Sequence, residues 1–477
     1  MHVAERNDAS AVLRNLRHLF TFGELRALLQ TGDKSMKKIA LVLCLILCSF
    51  RVYANHDVDR FVEDYIKKKQ IPGLALLVIK DGKILEEKGY GFSNLELQVP
   101  VKPETIFQSG SMGKQFTASA VMLLVEEGKI HLDDPIGKYL KVPDAWNEMT
   151  IRRMLSHTSG LDDYPDDFDF RKDYTEDQLL EIVGKQPLQF APGTQWSYSN
   201  LAFLTLGILI HKVSGQFYGD FLKERVWQPL GMTSTRIISE EDLVPNRAAG
   251  YRLVKGQWKN QEWVSPVANT TADGSMYFNI VDLAKWDAGL YTEKILKKSS
   301  LDQMWTPIQL KDGSTYPYGF GWFLEKTNGH RLIEHAGEWQ GFSTEIARYV
   351  DDHLTVVALT NLSGADAPYV AHVVAGIYNP VLHLPKHNEI AVDAKILQTY
   401  AGKYALSSDR NVEVKIEGNH LVLIWGDSSE QMLADSKASF FEPDSETTMR
   451  FVTNDKGQVT SLIVNTGRDR ELKRVSD

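Results

Sequence analysis

At 477 residues the chain is too long for one compact core and implies two or three units. A composition of 43% hydrophobic and 24% charged residues is that of an ordinary globular protein and excludes wholesale disorder. The formal net charge of −9, with no basic stripe and no zinc-finger spacing, argues against nucleic acid as a partner.

The first element in chain order is a targeting segment. Met36-Lys37-Lys38, the apolar run 39–50 and the small residue Ala54 match the n-region, h-region and cleavage site of a secretory signal peptide. The run is also too short to span a bilayer. Residues 1–54 therefore read as an upstream extension followed by a signal peptide (Met36–Ala54), with Met36 as a second start. Both cysteines, Cys44 and Cys48, leave with it, so the mature chain has none and suits an oxidising compartment. The departing segment holds eight Lys/Arg and four Asp/Glu, which takes the net charge from −9 to −13. Lipoprotein anchoring through Cys48 is disfavoured by the bulky Leu47 before it. The expected location is the periplasm or the cell exterior, with no transmembrane span in the mature chain.

A mixed α+β domain is expected over residues 55–385. Leu74–Lys80, the turn Asp81-Gly82 and Lys83–Glu87 predict a hairpin. Met112, Phe116, Ala120, Leu123 and Leu124 fall at helical spacing, with Gly128 as the stop. Thr175 and Gln178 have capping-box spacing, and Leu201–Val213 is a strongly apolar helix closed by Gly215. Residues 330–334, 344–350 and 354–359 read as strands, with Asp351-Asp352 at a tip. Strands at both ends of one segment with helices between them imply a single antiparallel sheet closed by non-local pairing. After the linker Asn379–His387, short alternating runs predict a small sheet or barrel over 386–477, including hairpins at 412–425 and 451–464.

Three short motifs carry chemistry. Ser111-Met112-Gly113-Lys114 puts a hydroxyl and an amine three residues apart, on one face of a helix start. A serine hydroxyl needs a base within hydrogen-bonding reach, and the helix N-terminus favours a developing alkoxide. S-x-x-K alone is weak, since Ser35-Met36-Lys37-Lys38 matches it too. Tyr198-Ser199-Asn200 adds a phenol able to relay a proton and an amide able to hold a substrate amide; the plainer reading makes Asn200 a helix N-cap and packs Tyr198 on Trp196. His335-Ala336-Gly337 ends a β run. Its glycine would let an extended substrate lie along the strand, and its imidazole could orient an anionic group. No G-x-S-x-G elbow or H-E-x-x-H helix is present. The thirteen histidines show no ligand spacing, so no metal or other cofactor is implied.

In the order S-x-x-K, Y-x-N, H-x-G the chain resembles the penicillin-recognising serine hydrolases related to class C β-lactamases, with their D-alanyl-D-alanine carboxypeptidase, D-aminopeptidase and esterase relatives. The strings Phe107–Ser111, Leu132–Ile136, Met154–Leu161, Ala191-Pro192-Gly193 and Pro229–Met232 carry the same resemblance. It covers roughly residues 56–380, and the last 85 or so resemble a lipocalin-like extra domain. It implies a β-lactamase-like antiparallel sheet flanked by helices, with Ser111 acylated, Lys114 as base or proton relay, and Tyr198 assisting. Asn200, His335 and Gly337 would line the substrate, and the backbone N–H groups of Ser111 and Glu338 would form the oxyanion hole. His157 lies in a family-like string and reads as structural, and Asp133 and Asp134 read as turn and capping residues. Many relatives have lysine where His335 stands. A partly charged imidazole weakens carboxylate recognition and tilts the expectation toward a peptidase or esterase for D-amino-acid peptides, amides or esters. Expected partners are small-molecule or peptide substrates, cell-wall peptides and β-lactams among them. A class C-type β-lactamase and a penicillin-binding sensor that acylates without turnover are the alternatives.

Overall fold

The computed structural model describes residues 56–475, apart from 166, 238–241, 267, 407–409, 427 and 467–468. The expected signal peptide, Met36–Ala54, and the stretch before it lie outside the described residues.

Asp81 and Gly82 take φ of 51° and 69°, the left-handed pair whose twist suits a two-residue hairpin. They join the antiparallel strands Gly73–Lys80 and Lys83–Asn94. The first of these is apolar and buried for seven of its eight residues, because Leu354–Thr360 pairs along its other edge. The full sheet has seven antiparallel strands in the order Phe323–Thr327, His330–Trp339, Phe342–Tyr349, Leu354–Thr360, Gly73–Lys80, Lys83–Asn94, Val99–Pro100. Chain ends of the domain meet at its centre, which is the non-local closure the strand pattern implies.

The inserted region is mostly helical. Lys114–Glu126 is buried from Lys114 to Leu124, and Asn200–Ser214 is buried from Leu201 to Ile210. Both feed one core with Phe116, Leu204 and Trp286, continuous with the sheet residues Leu77, Ile346 and Val357. Thr175 and Gln178 form both hydrogen bonds of the capping box, and Gly215 closes its helix at φ 75°.

One strand differs from expectation in a way that matters. It does not stop near Glu334 but runs through the third motif to Trp339, in register with Phe342–Tyr349 (His335 opposite Ile346, Gly337 opposite Thr344). The neighbour on its other side pairs only with residues 330–334. Residues 335–339 thus have a strand partner on one side alone.

Past Ala394–Tyr400, eight strands from Gly402 to Arg474 close into a barrel around Tyr404, Leu421, Phe440, Phe451 and Leu462. The architecture is α+β, an antiparallel sheet flanked by helices with a mostly helical insertion, plus a small all-β barrel. Among the described residues no single helix is long and apolar enough to cross a membrane.

Candidate active site

Ser111 sits in the tight turn Gly110–Gly113 that leads into the helix from Lys114. Gly110 has φ 53°, and a Cβ there would lie 2.5 Å from the Glu338 nitrogen, so only glycine fits. A Cβ on Gly337 would lie 2.0 Å from the Ser109 carbonyl oxygen and 2.8 Å from the Met112 nitrogen. The missing side chain of Gly337 is therefore explained by close packing of the Gly110–Gly113 turn on the strand, a stronger reason than room for substrate. Thr344 ties the same turn down by donating to the Ser109 carbonyl at 2.6 Å. The backbone of Glu338 is thereby held against the peptide that precedes Ser111, while its side chain is exposed.

Lys114 is fully buried, and its Nζ has three partners: Ser111 Oγ at 2.9 Å, Asn200 Oδ1 at 2.7 Å and the Asp273 carbonyl at 2.5 Å. The orientation of the Asn200 amide follows from its other end, where Nδ2 donates to Asp163 Oδ2 at 3.1 Å. Asn200 Oδ1 and the Asp273 carbonyl can only accept. A neutral amine with two N–H bonds satisfies both and keeps its lone pair for the serine hydroxyl. The ammonium form fills the same three contacts by donating to Ser111 Oγ. This arrangement can move a proton from Ser111 to Lys114 without breaking any other bond.

Asn200 is not the helix cap. Ser199 caps it, accepting from the Ala202 N–H at 3.1 Å, which frees the Asn200 side chain for Lys114 and Asp163. The Tyr198 ring centroid lies 4.9 Å from Lys114 Nζ, 4.2 Å from the His157 ring and 6.2 Å from the His335 ring. His335 is buried, with Nε2 3.1 Å from the Tyr318 hydroxyl and Nδ1 2.6 Å from the Ala336 carbonyl. Burial pushes the Asp163 carboxyl above its usual range, while the Tyr164 N–H, Lys114 and Asn200 pull the other way. Two hollows, of about 1020 and 570 Å³, lie elsewhere and are lined by none of the predicted site residues.

The β-lactamase family pattern matches residues 58–378. The chain belongs to the β-lactamase family. A second match, to a domain of unknown function (DUF3471), covers residues 386–474. Penicillin-binding protein 4* of Bacillus subtilis (strain 168) is 28% identical over 436 residues, covering 86% of this chain and 96% of that protein. Among solved structures, the octameric penicillin-binding protein homologue from Pyrococcus abyssi aligns with a TM-score of 0.64 and 25% identity, covering 88% of this chain and 99% of that one. The D-amino acid amidase from Ochrobactrum anthropi SV3, at 24% identity and TM-score 0.59, covers 69% and 97% and shares the fold. As a member of the β-lactamase family the chain is a serine hydrolase that works through an acyl-enzyme.

Sequence reasoning did not find every residue at this β-lactamase-family site. Asp163, next to Asn200, lies two residues past the Met154–Leu161 string, and only that proximity could have flagged it. Tyr318 and the Asp273 carbonyl have no signal in spacing, because loop geometry alone brings them in. His157, read as structural, is fully buried at φ 57° and reaches into the site through Tyr318.

Proposed function

We propose that the chain is an exported serine hydrolase acylated at Ser111, acting on amide or ester bonds of D-amino-acid peptides, amides or esters. The hydrogen-bond set of Lys114 carries the reading. Lys114 takes the Ser111 proton as Oγ bonds to the substrate carbonyl carbon, and the oxyanion is met by the backbone N–H groups of Ser111 and Glu338. One such donor is typically worth about 2.7–4 kcal/mol in the transition state. The C–N or C–O bond then breaks, and the proton passes from Lys114, with Tyr198 assisting, to the leaving amine or alkoxide. Water attacks the acyl-enzyme, its proton returns to Ser111 Oγ, and the acid is released.

The polarity of the surroundings supports the substrate class. The Lys114 amine is engaged by Asn200 and Asp273, and the Asp163 carboxyl lies at the other end of the Asn200 amide. Such a lining suits a substrate with a free amine better than one with a carboxylate. Export is supported by the Met36–Ala54 pattern, and the mature N-terminus of the protein recovered outside the cytoplasm should be Asn55 or an adjacent residue.

The decisive assay uses residues 55–477 with four substrates: a chromogenic cephalosporin, a D-alanyl-D-alanine peptide, a D-amino-acid anilide and a short-chain nitrophenyl ester. Turnover of the anilide or ester ahead of the cephalosporin is expected, with Ser111→Ala abolishing both turnover and labelling by a fluorescent penicillin. Cephalosporin hydrolysis outpacing the others would make the chain a class C-type β-lactamase. Labelling without turnover of any substrate would make it a sensor.

A further inference from the structure

We propose that Tyr318 and His157 are positioning residues that hold the third-motif imidazole, His335, uncharged and protonated on Nδ1, so that the site offers no cation to a substrate carboxylate. The kinetic consequence rests on the Ser111 acylation reading; the protonation pattern does not.

Four hydrogen bonds run in one line. The Ser199 backbone N–H meets His157 Nδ1 at 3.1 Å; a backbone N–H can only donate, so that nitrogen accepts and the proton of a neutral ring sits on Nε2. His157 Nε2 lies 3.1 Å from the Tyr318 hydroxyl oxygen, which therefore accepts there. Tyr318 has its own proton to donate, and His335 Nε2 is 3.1 Å away. At the far end His335 Nδ1 is 2.6 Å from the Ala336 carbonyl, which can only accept, so Nδ1 carries hydrogen. The pattern closes with both rings neutral and each proton used once. A charged His335 would place a second N–H against the Tyr318 oxygen and turn the phenol proton away.

Burial makes the ordering firm. His157 and Tyr318 are fully buried and His335 is 1% exposed, so solvent cannot replace a missing partner, and an imidazolium there would be desolvated. Tyr318, His157 and Tyr198 are titratable groups near His335 on this face, with Lys114 beyond the Tyr198 ring. Glu334, next in the strand, turns to the opposite face, where it bonds His372. The left-handed backbone of His157 is an independent sign of constraint: φ 57° costs about 1 kcal/mol or more outside glycine. It is held by a ring fixed at both nitrogens and by the Ser197 N–H bonding its carbonyl at 3.0 Å. Because Ser199 follows Tyr198, whose ring packs at a tilt on His157, the line also fixes the second motif against the third.

The test is nitrogen-15 NMR of histidine-labelled full-length Ser111→Ala protein across pH about 5.5 to 9, beside kinetics in the active protein. His335 should hold the Nδ1–H form and His157 the Nε2–H form throughout. Tyr318→Phe, which removes only the hydroxyl that donates to Nε2, should bring His335 protonation into this pH range, still below the ordinary imidazole value of about 6.5 because the ring stays buried. In that variant the preference for a carboxylate-bearing ester over its neutral methyl ester should rise about tenfold between pH 8 and pH 6, whereas the parent ratio stays flat. A parent His335 that titrates in this range, or carries its proton on Nε2, overturns the proposal, even should Tyr318→Phe fail to fold. So does a Tyr318→Phe protein whose His335 and substrate ratio behave as the parent's. Should Ser111 not be the nucleophile, the kinetic arm collapses while the NMR arm still decides.

Discussion

At Lys114 one amine serves two obligate acceptors and one hydroxyl, so its removal has two separable effects. Lys114→Ala should slow acylation by about 10²–10⁴-fold, the usual worth of a positioned base, as read by the rate of labelling with a phosphonate probe. It should also cost about 1–3 kcal/mol in urea unfolding, because the half-buried Asn200 and buried Asp273 acceptors lose their donor. Asp163 gives a pH signature. Its carboxyl is raised by burial, so as pH falls it takes a proton above the ordinary aspartate value of about 3.9 and becomes a poorer acceptor for Asn200. The acid limb of kcat/KM should lie above that value and vanish in Asp163→Asn. The Ser-Lys pairing was legible because three residues make one helical turn. The partners that complete it were not, since Asp163 and Asp273 arrive from loops 49 and 159 positions beyond Lys114 in the chain.

Among the elements, the hairpin at Asp81-Gly82 and the capping box at Thr175 were readable because each depends on residues within a few positions. The strand through His335–Trp339 was not. A histidine and a glycine interrupt its apolar alternation, and what sustains it is pairing with Phe342–Tyr349 and the Gly110–Gly113 turn pressed on Gly337. Gly337→Ala tests that packing. The added methyl meets backbone atoms that cannot rotate away, so overpacking should cost about 1–3 kcal/mol in thermal or urea unfolding. Displacement of Ser111 and Glu338 should cut acylation by about 10²-fold, a typical penalty for a shift of about 1 Å.

Across the whole molecule, one loop of the barrel docks on the catalytic domain. Glu442 accepts from Lys69 at 2.7 Å, Asp444 pairs with Lys68, Ser445 donates to Asp366 at 2.9 Å, and Glu446 engages His372 Nδ1 at 2.5 Å. His372 Nε2 meets Glu334 at 2.8 Å, one residue before the third motif. Burial alone would push this imidazole down, but Tyr349 and the two carboxylates outweigh it and hold His372 well above the usual value. A raised histidine contributes stability in full below the unfolded value of about 6.5, and loses it as pH rises through the folded one. Burial raises Glu345 well above the usual carboxylate value, and it acts in the same direction. Stability measured by urea midpoint should therefore decline toward alkaline pH, with the decline blunted in His372→Ala. That variant should lose about 3 kcal/mol at pH 6, the low end for breaking a buried pair because Glu446 is partly exposed. By itself the sequence determined the family, the α+β class and the Ser111–Lys114 contact within one helical turn, because those depend on spacing and periodicity along the chain. Only the tertiary structure decided which loops complete the Lys114 site, how the Tyr318 line orders its protons and where the barrel docks, because each joins residues whose separation in the chain leaves no local pattern.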